Sequence, residues 1–388
     1  MSLRTRIAGL SLLLASAGAD TTLSAATPDS VQAHLDRMVQ RGEVPGIQYL
    51  VVTRDGLLFE AAAGVRDVAT GLPMERATLQ MAYSTTKAIT AVAAMQLVEA
   101  GKLELDRPLD AYYPSHPYGS GVTIRSLLAQ TSGVPNPMPT DWLSLEGEPL
   151  DRDEKLQAVL AENPELDHPA GSEYGYSNLS YWLLEKAIEA ASGEDYARYV
   201  GEHVFSPLSV GPRDAGFELG TRDEMATGHS PRWGLTTFAL AWMAPSSYWA
   251  EPHAGWRRAA RLSHHGRGYG GLFCNASALA AVLQDLLRDE PLLMSRRTRD
   301  AMFTQQRTSG GEALSMTLGW VTGETSGARY FGKQGGGLGF HGNVRIYPDK
   351  GVATVFLANR TEITAGPIDE RSDELDAFFV RSARTSEK

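Results

Sequence analysis

Gly46-Ile-Gln-Tyr-Leu-Val-Val-Thr53 is an apolar, β-branched run that Arg54-Asp55-Gly56 interrupts before Leu57 to Ala63 resumes it. Asp-Gly between two such runs is a hairpin signal, so the runs are expected to pair as antiparallel strands. The far end of the chain repeats the device. Strands are expected at 316–322, 328–333 and 342–347, and Asp349-Lys350-Gly351 turns into another from Val352 to Ala358. Short hairpin-linked strands give an antiparallel sheet, because parallel neighbours need long crossovers. A helix is expected at 28–41, where Asp29 or Ser30 can cap and Val31, Leu35, Met38 and Val39 form one stripe, and another near 367–382.

The middle of the chain has a different period. Helical spacing dominates 85–100, 123–130, 151–161, 178–192, 195–204 and 275–288, with Pro- and Gly-rich loops between. The expected fold class is therefore α+β. An antiparallel sheet with its N- and C-terminal helices is built from 27–80 plus 315–388, and 81–314 form a large, mostly helical insertion. The cleft between the two parts is the natural place for an active site.

Composition removes several classes of function. The 388 residues are 43% hydrophobic and 21% charged, enough for a large core. A net charge of −10 argues against nucleic acid as a partner. Cys274 is the only cysteine, which excludes an internal disulfide framework and a thiolate zinc cluster; it is expected to be a buried structural thiol. Neither a phosphate loop, a dinucleotide fingerprint, a Gly-x-Ser-x-Gly elbow nor His-Glu-x-x-His is present, so no cofactor and no metal is expected. The adjacent pair His264-His265 reads as a loop surface. At the N-terminus, Arg4 and Arg6 precede an apolar stretch from Ile7 to Ala19 and the small residues Ser24-Ala25-Ala26. Residues 1–26 are thus expected to be an export signal, too short for a stable membrane anchor, and the protein periplasmic or secreted. Of 36 basic residues only seven are lysines.

Three short motifs carry chemistry. In Tyr83-Ser84-Thr85-Thr86-Lys87, Ser84 opens an expected helix and Lys87 lies three residues on, on the same face. An amine there can take the serine proton if burial or a second cation keeps it neutral. Tyr176-Ser177-Asn178 precedes another helix; its phenol can move protons, and Asn178 can hold a lysine or a substrate carbonyl, or cap the helix. Lys333-Gln334-Gly335-Gly336 ends a strand, where the lysine can lower the tyrosine's proton affinity and the amides of Gly336 and Ser84 can form an oxyanion hole. Each motif alone is common, but all three together are expected by chance less than about 0.1 times.

With these motifs in place, the chain resembles the penicillin-recognising serine hydrolases: class C β-lactamases, D-Ala-D-Ala carboxypeptidases and family VIII esterases. Ser84-x-x-Lys87, Tyr176-Ser-Asn178 and Lys333-Gln-Gly335 match their three boxes, and Gly339-Phe-His341-Gly342 continues the third. The resemblance implies a β-lactamase/transpeptidase-like fold and an acyl-enzyme on Ser84. Lys87 and Tyr176 would shuttle the proton, with Tyr176 activating the deacylating water. Asn178, Lys333, Gln334, Gly335, Gly336 and His341 would bind substrate and transition state. Gln334 stands where the family's β-lactamases and peptidases carry a threonine that contacts the substrate carboxylate. That favours a carboxylesterase acting on small or medium acyl esters. A β-lactamase or D-amino-acid peptidase, or an acyl-trapping sensor without turnover, are the alternatives. The aromatic stretch Trp233, Phe238, Trp242, Tyr248, Trp249 and Trp256 is expected to wall the pocket, or else to form a satellite core or dimer contact. The expected partner is a small ester or amide.

Overall fold

The computed structural model describes residues 28–137, 142–218, 224–233, 244–362 and 367–381. The expected export signal, Phe238 and Trp242 lie outside them. Helix α1 (Pro28–Gln40) leads into β1 (Gly46–Thr53) and β2 (Gly56–Gly64). The chain's other end supplies β3 (Val321–Thr325), β4 (Ala328–Gly336), β5 (His341–Tyr347) and β6 (Val352–Ala358). All six form one antiparallel sheet in the order β3-β4-β5-β6-β1-β2. The two ends of the chain meet where β1 pairs with β6, Ile47 opposite Ala358 and Thr53 opposite Val352.

Strands β1 and β6 are buried on both faces, which explains their apolar runs. Successive β-strand side chains point to opposite faces. Leu50 and Val52 of β1, with Ala353, Val355 and Leu357 of β6, enter the core shared with the helical part. Ile47, Tyr49 and Val51, with Val352, Phe356 and Ala358, enter a second core under α1 and the terminal helix.

Between β2 and β3 the chain forms α2 (Thr86–Glu99), α3 (Ile124–Leu128), α4 (Arg152–Glu162), α5 (Asn178–Ser192), α6 (Tyr196–Tyr199), α7 (Ala276–Leu287) and α8 (Arg296–Met302). Helix α7 packs on β1 and β6, and α2 packs on α5. The last helix, α9, is Pro367–Val380. Among the described residues no helix is long and apolar enough to cross a membrane.

Two expected elements are displaced, and a few short strands were not expected. The strand placed at 316–322 begins at Val321, because Gly319 turns the chain at φ +95° against Ala91. The helix at 195–204 is α only through Tyr199 and widens into a π-helical turn over Val200–Phe205, a segment of β-branched and glycine residues that favour an α-helix poorly. Short pairings in the insertion, such as Met81 with Phe273 and Phe273 with Gly216, are too brief to show a period. Cys274 is buried beside Phe273, as expected.

The terminal helix is tied down through a buried ion pair. Asp376 Oδ1 accepts from Tyr49 Oη at 2.8 Å, and its Oδ2 accepts from Tyr347 Oη at 2.6 Å and from the Arg345 guanidinium at 3.1 Å. Removing one partner of such a pair strands the other charge, at about 3–5 kcal/mol. Asp376→Ala is therefore expected to lower the denaturant midpoint by that equivalent; a change within about 0.5 kcal/mol would contradict the anchoring role.

Candidate active site

The nucleophile turn is built from strain and close packing. Tyr83–Thr85 form a 3₁₀ turn ahead of α2, so Ser84 precedes the α-helix rather than opening it. Tyr83 has φ +45°, a conformation that costs a non-glycine residue about 1–3 kcal/mol. Its hydroxyl donates to Leu338 O at 2.9 Å. The Met81–Phe273 pairing holds the residues just before the turn.

Helix α2 is buried continuously from Thr86 to Met95, so Lys87 stands within the core. Its Nζ lies 2.9 Å from Ser84 Oγ, 2.7 Å from Asn178 Oδ1 and 2.7 Å from the Tyr269 carbonyl oxygen. The amide and peptide oxygens can only accept, so they take two N–H bonds. Burial, and after it the charge of Lys333, hold the Lys87 amine well below the usual lysine value. In the neutral amine the remaining direction is a lone pair, and it faces the serine hydroxyl.

Tyr176 Oη is 2.6 Å from Ser84 Oγ and 3.2 Å from Asn178 Oδ1. Ser177 caps α5 by accepting from Ser180 N at 3.0 Å, which frees Asn178, the alternative cap, to hold Lys87. Burial raises the Tyr176 phenol above its ordinary value, and the bond with Ser84 offsets that only in part. Burial thus dominates, the expected lowering by Lys333 does not appear, and Tyr176 is held as a neutral phenol in the free protein. Lys333 Nζ stands 5.5 Å and Lys87 Nζ 5.0 Å from the phenol ring centre. Burial brings Lys333 down to about 8.

Strand β4 presses against the nucleophile turn. A Cβ at Gly335 would lie 2.2 Å from Ala82 O and 2.5 Å from Thr85 N, so only glycine allows this approach. Gly335 thus serves packing and does not line the cavity, whereas Gly336 does. The Gln334 amide donates to Asp369 on α9. His341 faces away from the expected substrate position. It is buried opposite Gly336 on β5, with Nε2 3.1 Å from Asp369 Oδ1 and Nδ1 3.3 Å from Glu362 O.

Ser84, Tyr176, Asn178, Lys333, Gln334 and Gly336 line one cavity of about 520 Å³. Of the expected aromatic wall, Tyr248 lines it. Trp233 is instead 82% exposed, and Trp249 and Trp256 lie in short strands away from the lining, held by ribbon pairing that turns them aside. The pair His264-His265 is not a loop surface. His264 ends the strand Leu262–His264, and both rings are buried.

Sequence reasoning missed Gln130, Asn136 and Tyr269. Gln130 brackets Ser177, with Oε1 accepting from its N–H and Nε2 donating to its carbonyl at 3.1 Å. Asn136 Oδ1 accepts from Asn178 N at 2.9 Å. Tyr269 acts through its backbone, which no side-chain pattern reports; the nearby Gly270-Gly271 was the available signal of close packing.

A Beta-lactamase family model matches residues 31–377. Protein flp of Staphylococcus aureus (strain MW2) is 28% identical over 182 residues, 45% of this chain and 36% of that protein. The putative penicillin-binding protein PbpX of Bacillus subtilis (strain 168) is 33% identical over 134 residues, 34% of this chain and 32% of that one. The matched stretches thus span about a third of these curated relatives. The D-amino acid amidase from Ochrobactrum anthropi SV3, complexed with D-phenylalanine, superposes with TM-score 0.77 at 19% identity, covering 92% of this chain and 99% of that one. The octameric penicillin-binding protein homologue from Pyrococcus abyssi gives 0.71 at 22%, covering 92% and 78%. These likenesses show the fold.

The two amines set a pH dependence. Lys87 must be neutral to accept a proton, so activity falls as pH drops through its depressed value. The Lys333 charge is lost as pH rises through about 8. The profile of kcat/KM is expected to be bell-shaped with a descending limb near there. Lys333→Met removes the cation that helps depress Lys87, so the ascending limb is expected to move to higher pH and the descending limb to disappear. Unmoved limbs would contradict these roles.

Proposed function

This chain belongs to the β-lactamase family, a family of serine hydrolases, and on that premise we propose that it is a carboxylesterase that acts on neutral esters of small or medium acyl chains. The observation that carries this reading is the Gln334–Asp369 bond. The family position that offers a hydroxyl donor to a substrate carboxylate here offers an amide whose N–H is engaged by Asp369. What remains of that amide is one N–H and a carbonyl oxygen, and the Asp369 carboxylate beside it repels a substrate carboxylate. Among the described lining residues there is also no carboxylate to receive a substrate ammonium. Tyr83, Leu143, Tyr174, Tyr248, Val321 and Leu338 give the cavity a largely apolar wall.

The chemistry follows from the hydrogen bonds. Ser84 Oγ attacks the ester carbonyl carbon while its proton passes to the Lys87 lone pair. The amides of Ser84 and Gly336 bind the developing oxyanion. As the bond to the alcohol breaks, the proton is relayed through Tyr176 to the leaving oxygen. Water then attacks the acyl-enzyme, gives its proton back along the same path, and Ser84 Oγ leaves with it. Tyr176 works as a relay that is never a standing phenolate, which matches its raised proton affinity. The positive charge of Lys333 favours the moment when negative charge passes through the phenol oxygen.

The wild type is expected to hydrolyse p-nitrophenyl butyrate faster than nitrocefin or D-phenylalanine amide, with Ser84→Ala lowering kcat by about four orders of magnitude or more. Faster nitrocefin turnover would favour a β-lactamase, and faster amide turnover a D-amino-acid amidase. The basic start, apolar stretch and small-residue site at residues 1–26 support export. N-terminal sequencing of enzyme from the periplasmic or medium fraction is expected to begin after Ala26. An intact N-terminus in the cytoplasm would refute export.

A further inference from the structure

His264 is buried at 5% exposure, lines the catalytic cavity, and takes no part in the proton path described above. Its ring lies edge-on to Tyr83, with centres 5.4 Å apart, and to Tyr269 at 5.3 Å. It therefore borders both the nucleophile turn and the loop that holds Lys87. Its Nδ1 is buried without a hydrogen-bond partner among the described residues. The neighbouring His265 turns to the opposite face of the strand and meets Ser144 Oγ at 3.0 Å. Burial is the main cause that holds His264 down to about 3. The ring is therefore neutral at working pH, and because Nδ1 is shut off from the cavity it is Nε2 that can meet a substrate group, as donor or as acceptor according to the tautomer.

The surroundings of His264 indicate which part of a substrate it meets. Leu143 pairs with it across the short strands, and Leu143 O accepts from Tyr248 Oη at 2.6 Å. Leu143, Tyr248 and Tyr83 make this flank apolar. Tyr176, which hands a proton to the departing alcohol, and Lys333, whose charge assists it, come from the loop before α5 and from β4 instead. The alcohol belongs beside them, which leaves the His264 flank for the acyl chain.

We propose that His264 forms a polar subsite in the acyl pocket and selects short acyl chains bearing a hydroxyl group near the ester carbonyl. A hydroxyl both donates and accepts, so it suits Nε2 in either tautomer, and it fits an otherwise apolar wall better than a charged group. This inference rests on the esterase reading above.

The test compares p-nitrophenyl 3-hydroxybutyrate with p-nitrophenyl 3-methylbutyrate, which replaces the hydroxyl by a methyl of similar size. The wild type is expected to favour the hydroxy ester in kcat/KM by about tenfold, the yield of one well-placed hydrogen bond. In His264→Phe the ratio is expected to fall towards one, with partial return in His264→Asn or His264→Gln. A wild-type preference for the methyl ester would overturn the subsite. So would a ratio unchanged in His264→Phe, or an equal loss on both esters in every variant. If His264→Phe does not fold, the wild-type preference and the Asn and Gln variants decide the matter. Failure of the wild type to hydrolyse either ester would overturn the esterase reading and this one together, a result distinct from hydrolysis without preference.

Discussion

The buried amine of Lys87 is the constraint around which the site is organised. A lysine in a helix wrapped by apolar neighbours loses the hydration that keeps it charged. Two fixed carbonyl oxygens, from Asn178 and Tyr269, replace that water with two acceptors and leave the third direction for Ser84. Desolvation and orientation thus act on the same atom. Neither would serve alone, since a charged amine has no lone pair and a freely rotating one would not point it at the serine.

Much of the surrounding structure keeps those two oxygens in place. Asn178 is available because Ser177 takes over the capping of α5, and Gln130 fixes Ser177 from both sides of its peptide. The Tyr269 loop is held by Arg267, which reaches Glu185, Glu189 and Asp195. Gly268 N also donates to Glu185 at 2.8 Å. On the opposite side, Gly335 lets β4 touch the nucleophile turn, which brings Lys333 to the phenol. The six-stranded sheet, closed by the pairing of the two chain ends, gives β4 a rigid base for that approach.

The parts of this arrangement with a period or a rare residue type were legible in the sequence. The hairpin strands and the long helices announce themselves by alternation and by helical spacing. Lysine scarcity was informative as well: among the described residues Lys87 and Lys333 are the two buried lysines, and both lie in the motifs. What stayed hidden depends on backbone atoms or on distant partners. The Tyr269 carbonyl has no side-chain signature. The tie between Gln334 and Asp369 spans 35 residues and joins a strand to the last helix. His264-His265 was misread because strand alternation over three residues is too short to see, yet it sends the two rings to opposite sides. Of the described members of the aromatic stretch Tyr248 lines the cavity and Trp233, Trp249 and Trp256 do not, since aromatic content does not specify which ring faces the cavity.

The neutrality of Lys87 is the central claim, and the chain's seven lysines make it directly measurable. Lysine side chains labelled at Cε and Nζ would give a sparse NMR spectrum that can be followed through a pH titration, with Lys87→Arg and Lys333→Met identifying two of the signals. The account predicts that the Lys87 signal titrates well below the ordinary lysine range and that the Lys333 signal titrates near 8. A Lys87 signal that keeps its charge through neutral pH, titrating with the surface lysines, would contradict it.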